Sequence, residues 1–205
     1  MSFFIYGETE INYLSGKCQK LGRVIELIGP LERAVTPDLF ESLMRSIVGQ
    51  QISSKAQATV WARIKELVGE ITPQNMAACP ADALQKCGMS MRKTDYIQQT
   101  ACAVLDGHFD MAALHDMSDI EVRRHLSALK GIGEWTAEML MLFSMQRPDI
   151  LSYGDLAIRR GLCMLHRHRE LTPALFERYR KRYSPYGSVA SLYIWALAGG
   201  EVEGF

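Results

Sequence analysis

Two short segments of this chain carry residue types and spacings that could do chemistry. Leu129-Lys130-Gly131-Ile132-Gly133-Glu134-Trp135-Thr136-Ala137 sets two glycines around one apolar residue, and Gly154-Asp155-Leu156 places a lone carboxylate about 20 residues later. A Gly-x-Gly spacing suits a tight hairpin in which small residues let the main chain approach a ligand closely. From Glu134 onward the chain reads as a helix, so the hairpin lies at a helix N-terminus. There, outward-pointing N–H groups and the helix dipole favour an anion. A phosphate fits such an end without side-chain charge. Asp155 taken by itself reads as the N-cap of a helix from Leu156. As chemistry, it is an anion able to face developing positive charge.

The elements that must position these segments are helices. Thr36-Pro37-Asp38 predicts an N-cap, a proline at the first helical position and an acid in the first turn, followed by Leu39, Leu43, Ile47 and Val48 at helical spacing and a stop near Gly49. Ser53 or Ser54 caps a second helix with Ala56, Val60, Ile64 and Leu67 on one face, closing at Gly69. Further helices are read over 80–87, from Ser90 to about Leu105, and as one short turn over 110–117. A capping box of Ser118 and Glu121 opens the helix that leads into the hairpin. After the hairpin come helices over 134–145, 156–165, 172–182 and 188–198. Strand patterning is nearly absent, apart from 2–6. No fixed-period repeat, low-complexity tract or long linker interrupts the pattern. The expectation is one all-α domain over residues 1–205, built as two intertwined helical lobes with a cleft between them.

Composition narrows the function. The 205 residues carry no net formal charge and are 48% hydrophobic, which excludes a disordered chain or a uniformly basic nucleic-acid coat. Nucleic-acid contact must therefore be local. From Leu156 on, seven arginines and Lys181 outnumber four glutamates, whereas between Asp106 and Asp149 acids are in excess. The five cysteines (Cys18, Cys79, Cys87, Cys102, Cys163) form no C-x-x-C pair and are odd in number, so they read as small core residues in a reducing compartment. With no signal pattern and no run of about 18 apolar residues, the chain is expected to be soluble and cytoplasmic. His166 and His168 read as solvated helix residues.

The segment from Leu129 to Ala137 resembles the hairpin of helix-hairpin-helix DNA glycosylases, and Gly154-Asp155-Leu156 resembles the segment holding their catalytic aspartate. Gly49-Gln50-Gln51-Ile52-Ser53 and Tyr183-Ser184-Pro185-Tyr186-Gly187-Ser188 stand in the same order as in the 3-methyladenine DNA glycosylase II branch of that superfamily (HhH-GPD). The similarity covers roughly residues 30–200. It implies a helix-hairpin-helix over about 118–145 and, with only about 30 residues before Leu31, a compact form without the N-terminal sheet domain of some members.

The resemblance further implies base excision from double-stranded DNA containing alkylated bases, by a monomer. Asp155 would stabilise positive charge on the anomeric carbon, while Trp135, Trp195 and Met139 would line the base pocket, Met139 standing where a relative has tyrosine. Main-chain N–H groups of Gly131, Ile132, Gly133 and their neighbours would grip phosphate, with Lys130, Ser53 and Lys55 as further DNA contacts. Gln50 and Gln51 are candidates for the wedge that fills the vacated base position, Gln51 the better placed. Ser90, Arg92 and Lys93 are additional phosphate candidates. Carbonyls of Ser127, Leu129 and Ile132 would hold a monovalent cation, Na+ or K+, supplying local charge that the chain lacks.

Two features set the expected extent of reaction. A purine alkylated at N3 or N7 already carries positive charge and leaves readily, so one carboxylate can suffice where ordinary glycoside hydrolysis uses two. Superfamily members that also cut the strand carry lysine where this chain has Trp135, and an indole cannot form a Schiff base. The chain is therefore expected to remove bases without lyase activity. It also lacks the closely spaced four-cysteine set that binds an iron–sulfur cluster. The competing readings are a non-catalytic DNA-binding or damage-sensing module and a glycosylase for deaminated or mismatched bases.

Overall fold

The computed structural model describes residues 2–201. In chain order these form β1 (Ser2–Phe3), α1 (Glu8–Lys17), α2 (Gln19–Ile28), β2 (Ala34–Val35), α3 (Leu39–Gly49), α4 (Ser54–Val68), α5 (Pro73–Ala78), α6 (Ala81–Lys86), α7 (Met91–Leu105), a 3-10 turn (Ala113–Asp116), α8 (Asp119–Ala128), α9 (Glu134–Phe143), α10 (Leu156–His166), α11 (Pro173–Tyr183) and α12 (Gly187–Gly199). The all-helical reading holds. The strands form only a two-residue antiparallel ribbon, Ser2 opposite Val35 and Phe3 opposite Ala34. The chain packs as two units, one running from Thr36 to Leu140 and the other made of the residues up to Val35 and those from Met141 on.

In the unit from Thr36 to Leu140, side-chain caps explain most helix starts. Ser53 Oγ accepts from Ala56 N at 3.2 Å, and Ser118 with Glu121 closes the expected capping box. One start differs from expectation: α3 begins at Leu39, because Asp38 Oδ1 accepts from Glu41 N at 2.8 Å and is itself the N-cap. A carboxylate is as good a cap as a hydroxyl and carries the charge that the helix dipole favours, so Asp38 takes the role expected of Thr36. In α4 the buried face is Val60, Trp61 and Ile64, whereas Ala56 and Leu67 face solvent. Helix α5 adds to those expected; its start is a local signal, Thr72 Oγ1 accepting from Asn75 N at 3.2 Å with Pro73 at the first helical position.

In the other unit, α12 is buried on nearly every side, as expected of a helix that is apolar all round. It packs against α10, α11, α1 and α2. Helices α1 and α2 add to those expected, and α2 carries Leu21, Val24, Ile25 and Ile28 at helical spacing, the first three of them buried. Among α1 residues only Leu14 is buried, and the cap position before α2 is Cys18, whose side chain makes no cap bond. At the crossing of α10 and α12, a Cβ on Gly161 would lie 2.5 Å from the Ile194 carbonyl oxygen and 2.6 Å from its Cγ2. The missing side chain lets the two backbones meet, which sets the start of α10 beside α12.

The C-terminal end of α10 corrects the reading of its histidines. His166 stacks on Tyr179 with centroids 4.0 Å apart and pairs through Nε2 with the Tyr183 hydroxyl at 2.9 Å. His168 lies beyond the helix and pairs with the Tyr179 hydroxyl at 2.6 Å. Burial first, then the charges of Lys20, Arg182 and His168, push the His166 imidazole down to about 4. The folded protein therefore holds His166 neutral, while the unfolded chain takes up its proton near pH 6.5. The structure is expected to lose stability as pH falls through 6.5 and to lose no more from this residue below about 4. Allowing for solvent screening, the loss is about 1–2 kcal/mol. Chemical denaturation at pH 7.5 and 4.5 should show it, and His166→Gln should flatten the dependence. A His166→Gln protein with the same pH slope would contradict it.

The cysteines divide. Cys18, Cys79 and Cys87 are buried as expected, but Cys102 is exposed and Cys163 half-buried. Among the described residues no helix is long and apolar enough to cross a membrane.

Candidate functional site

Asp155 occupies the N-cap of α10 with the geometry of a cap and the burial of a site residue. Its side chain is only 8% exposed. Oδ1 accepts from Ala157 N at 2.8 Å, from Ile158 N at 2.9 Å and from the Trp195 indole Nε1 at 3.2 Å. A carboxylate can be buried only where donors replace water, and two of these donors are the first free N–H groups of α10. The third comes from a residue 40 positions away on α12. Cap and site are thus one arrangement, which fixes the carboxylate plane. Leu156, immediately after it, is 76% exposed, an apolar side chain that the core does not use.

Trp195 is half-buried, and its indole stacks on Phe143 at a centroid separation of 5.6 Å and an interplanar angle of 22°. The guanidinium of Arg33 lies over the same phenyl ring, 5.6 Å from its centroid. Sequence reading singled out Trp195 and missed Phe143 and Arg33. Phe143 ends an apolar run from Met139, where nothing marks it apart from core, and Arg33 lies in a segment with no helical period.

In the other unit the hairpin between α8 and α9 is built as the glycine spacing suggests, but its two glycines do different jobs. Gly131 has φ +85°, a left-handed conformation, and a Cβ there would fall 2.3 Å from Tyr96 Cδ2. Its bareness serves the protein's own packing against Tyr96. Gly133 has open space where a Cβ would stand, so only its bareness leaves room for a ligand. Arg123 of α8 pairs with Glu138 of α9 at 3.3 Å across the hairpin.

Several hairpin expectations change with this geometry. Ile132 N–H donates to the Leu129 carbonyl at 3.1 Å, closing the turn, and its side chain is 4% exposed. The Ile132 amide is therefore an internal strut rather than an open donor. Gln50 Nε2 donates to the Gly131 carbonyl at 2.6 Å, which ties the Gly49-Gln50-Gln51 turn to the hairpin. Of the two glutamines, only Gln51 is left exposed, with φ +56°. Lys93 Nζ donates to the Val48 and Gln50 carbonyls at 2.8 and 2.6 Å, completing the end of α3, and burial pulls its ammonium below the ordinary lysine range. Ser90 caps α7 through the amide of Lys93. These two act in local structure.

The remaining candidates lie at or near the surface of this unit. Trp135 is 49% exposed, Met139 is half-buried one turn further along α9, and Lys55 and Lys130 are exposed. Ser53 is exposed but its hydroxyl caps α4. For the expected cation, the carbonyls of Ser127 and Leu129 lie at the C-terminal end of α8, where helix carbonyls lack intrahelical partners. Ser127 Oγ beside them is a buried oxygen with no hydrogen-bond partner among the described residues. Oxygen donors of this kind suit a hard cation, so the residues fit one. Leu129 O would share its second lone pair, since the first takes the Ile132 amide.

The hairpin joining two helices in an almost wholly helical chain defines a helix-hairpin-helix protein. Residues 44–185 match the family model described as HhH-GPD superfamily base excision DNA repair protein, and the chain belongs to that family. It is 30% identical over 191 residues to DNA-3-methyladenine glycosylase 1 of Schizosaccharomyces pombe, an overlap of 89% of this chain and 84% of the relative. It is 32% identical over 177 residues to DNA-3-methyladenine glycosylase 2 of Escherichia coli, covering 81% of this chain but 60% of that relative. The crystal structure of a DNA-3-methyladenine glycosidase from Bacillus halodurans superposes with a TM-score of 0.90 at 35% identity, over 100% of this chain and 96% of that one.

Proposed function

We propose that this protein is a monofunctional DNA glycosylase that hydrolyses the N-glycosidic bond of alkylated purines, of the 3-methyladenine and 7-methylguanine type, in double-stranded DNA. The observation that carries the reading is Asp155, a buried carboxylate held in one plane by two backbone amides and an indole at the start of α10. Kinship with the 3-methyladenine glycosylases supports the substrate class.

The chemistry follows from the substrate. Extruding a nucleotide costs a few kcal/mol, least where alkylation has weakened its pair. As the C1′–N bond breaks, its electron pair passes to the base and cancels the base's positive charge, so no acid is needed to release it. Positive charge then develops on C1′, and the Asp155 carboxylate stabilises it. Water forms the new C1′–O bond and gives up a proton, leaving an abasic site in an intact strand. Trp195 beside Asp155 offers an aromatic face to a cationic base, an attraction worth roughly 0.5–2 kcal/mol, and Trp135 on α9 is an exposed aromatic face of the other unit. Gly133 and the first amides of α9 are the phosphate contact, Lys55 and Lys130 add charge, and Gln51 is the wedge. Carbonyls of Ser127, Leu129 and Ile132 would hold Na+ or K+, which when bound supplies positive charge facing the phosphate.

Two measurements test this reading together. Incubated with methylated duplex DNA, the protein should release 3-methyladenine or 7-methylguanine, read by chromatography. The product strand should stay uncut until treated with alkali, and borohydride should trap no covalent adduct. No released base, or a trapped adduct, would refute it.

A further inference from the structure

The N-terminal ribbon has no place in the chemistry described so far, and neither do Phe143 and Arg33. The three are linked in series to Trp195. The ribbon pairs Phe3 with Ala34, and the adjacent Phe4 amide donates to the Arg33 carbonyl at 2.8 Å, so the backbone of Arg33 is fixed. Its guanidinium lies over Phe143, within the roughly 6 Å that marks a cation–π contact. Phe143 in turn stacks on Trp195 in the near-parallel geometry that aromatic pairs favour. Trp195 donates to Asp155 at 3.2 Å, the long end of the N–H···O range. A bond that long survives only while the indole keeps its plane.

We propose that Phe143, held by Arg33, is a positioning residue that fixes the Trp195 indole and through it the Asp155 carboxylate. Asp155 Oδ1 also accepts from Ala157 N and Ile158 N, both of its own helix. The indole supplies a contact with Oδ1 from a different helix, α12. A rotation of the Trp195 ring breaks that contact and also tilts the aromatic face offered to a base. Phe143 blocks the rotation by covering one face of the ring. The ribbon then has a use: it anchors the cation that holds Phe143.

This inference rests on the glycosylase reading, and its test separates the two. Phe143→Leu keeps an apolar side chain but removes the stacking surface, and Phe143→Tyr keeps the ring. With saturating enzyme in single turnover on methylated duplex DNA, Phe143→Leu should lower the rate of base release about tenfold with little change in DNA affinity, as expected for a misplaced catalytic group. Phe143→Tyr should recover at least half of the rate. In a Trp195→Phe background, Phe143→Leu should add nothing further, because both changes break one connection. The protein labelled with 5-fluorotryptophan gives an independent readout. The Trp195 fluorine signal should shift or broaden in Phe143→Leu, while those of Trp61 and Trp135 stay in place.

A Trp195 signal that does not move, a rate within twofold of wild type, or full additivity with Trp195→Phe would each overturn the proposal. A wild-type protein that releases no alkylated base would instead refute the glycosylase reading. The fluorine spectra would then still show whether Phe143 orients Trp195.

Discussion

Asp155→Asn is expected to fold normally and to release alkylated purines at least about 100-fold more slowly than wild type. The two halves of this expectation come from different parts of one side chain. As a cap, the residue needs an oxygen that accepts from Ala157 N, Ile158 N and Trp195 Nε1. Asparagine keeps that oxygen and is among the best N-cap residues, so melting should change little. As a catalyst, the residue needs negative charge facing C1′, and a neutral amide has none. Removal of one electrostatic contact to a transition state costs about 10²–10³ in rate. Asp155→Ala makes the contrast. It leaves the amides of Ala157 and Ile158 without their side-chain acceptor, so it should lose about 0.5–2 kcal/mol of stability as well as activity. Undiminished release by Asp155→Asn, measured beside a thermal melt of the same preparation, would reduce Asp155 to a helix cap.

The second large effect separates the hairpin glycines. Gly131→Ala should destabilise the protein by about 2–4 kcal/mol, because a Cβ is disfavoured at φ +85° and would also overlap the Tyr96 ring. For a chain of this size that is roughly 5–15 °C in Tm. A smaller side chain at position 96 should return the part due to overlap and none of the part due to backbone conformation. Gly133→Ala meets nothing in the folded protein, so its melting point should stay near that of wild type. Its methyl would instead occupy the space left for a phosphate. Affinity for an abasic-site duplex, read by fluorescence anisotropy, should fall about tenfold, the size of a lost hydrogen bond to a charged group. Unchanged affinity in Gly133→Ala would remove the hairpin from the DNA contact.

The helices were legible where a local signal sets them. Ser53, Ser90, Ser118, Thr172 and Asp155 each bond to an amide two or three residues on, which a linear reading can see. Where two such signals compete, as at Thr36 and Asp38, the linear pattern does not show which caps, and Asp38 does. Where a helix buries a single residue, as α1 does, there was no signal to read. The histidines failed for a related reason. His166 and His168 look like polar surface residues until Tyr179 and Tyr183 of α11 cover them.

The sequence by itself determined the helical class, the hairpin, the family and the place of Asp155 at the cap of α10. All of these rest on residues close together in the chain, or on motifs whose order can be read directly. Only the tertiary structure decided which group completes Asp155 and what each glycine is for. Trp195 reaches Asp155 because α10 and α12 meet at Gly161, and Gly131 is bare because Tyr96, on another helix, fills its space. Phe143 and Arg33 were invisible for the same reason. Packing brings together side chains whose separation along the chain carries no periodicity, and a stacking partner has no sequence signature of its own.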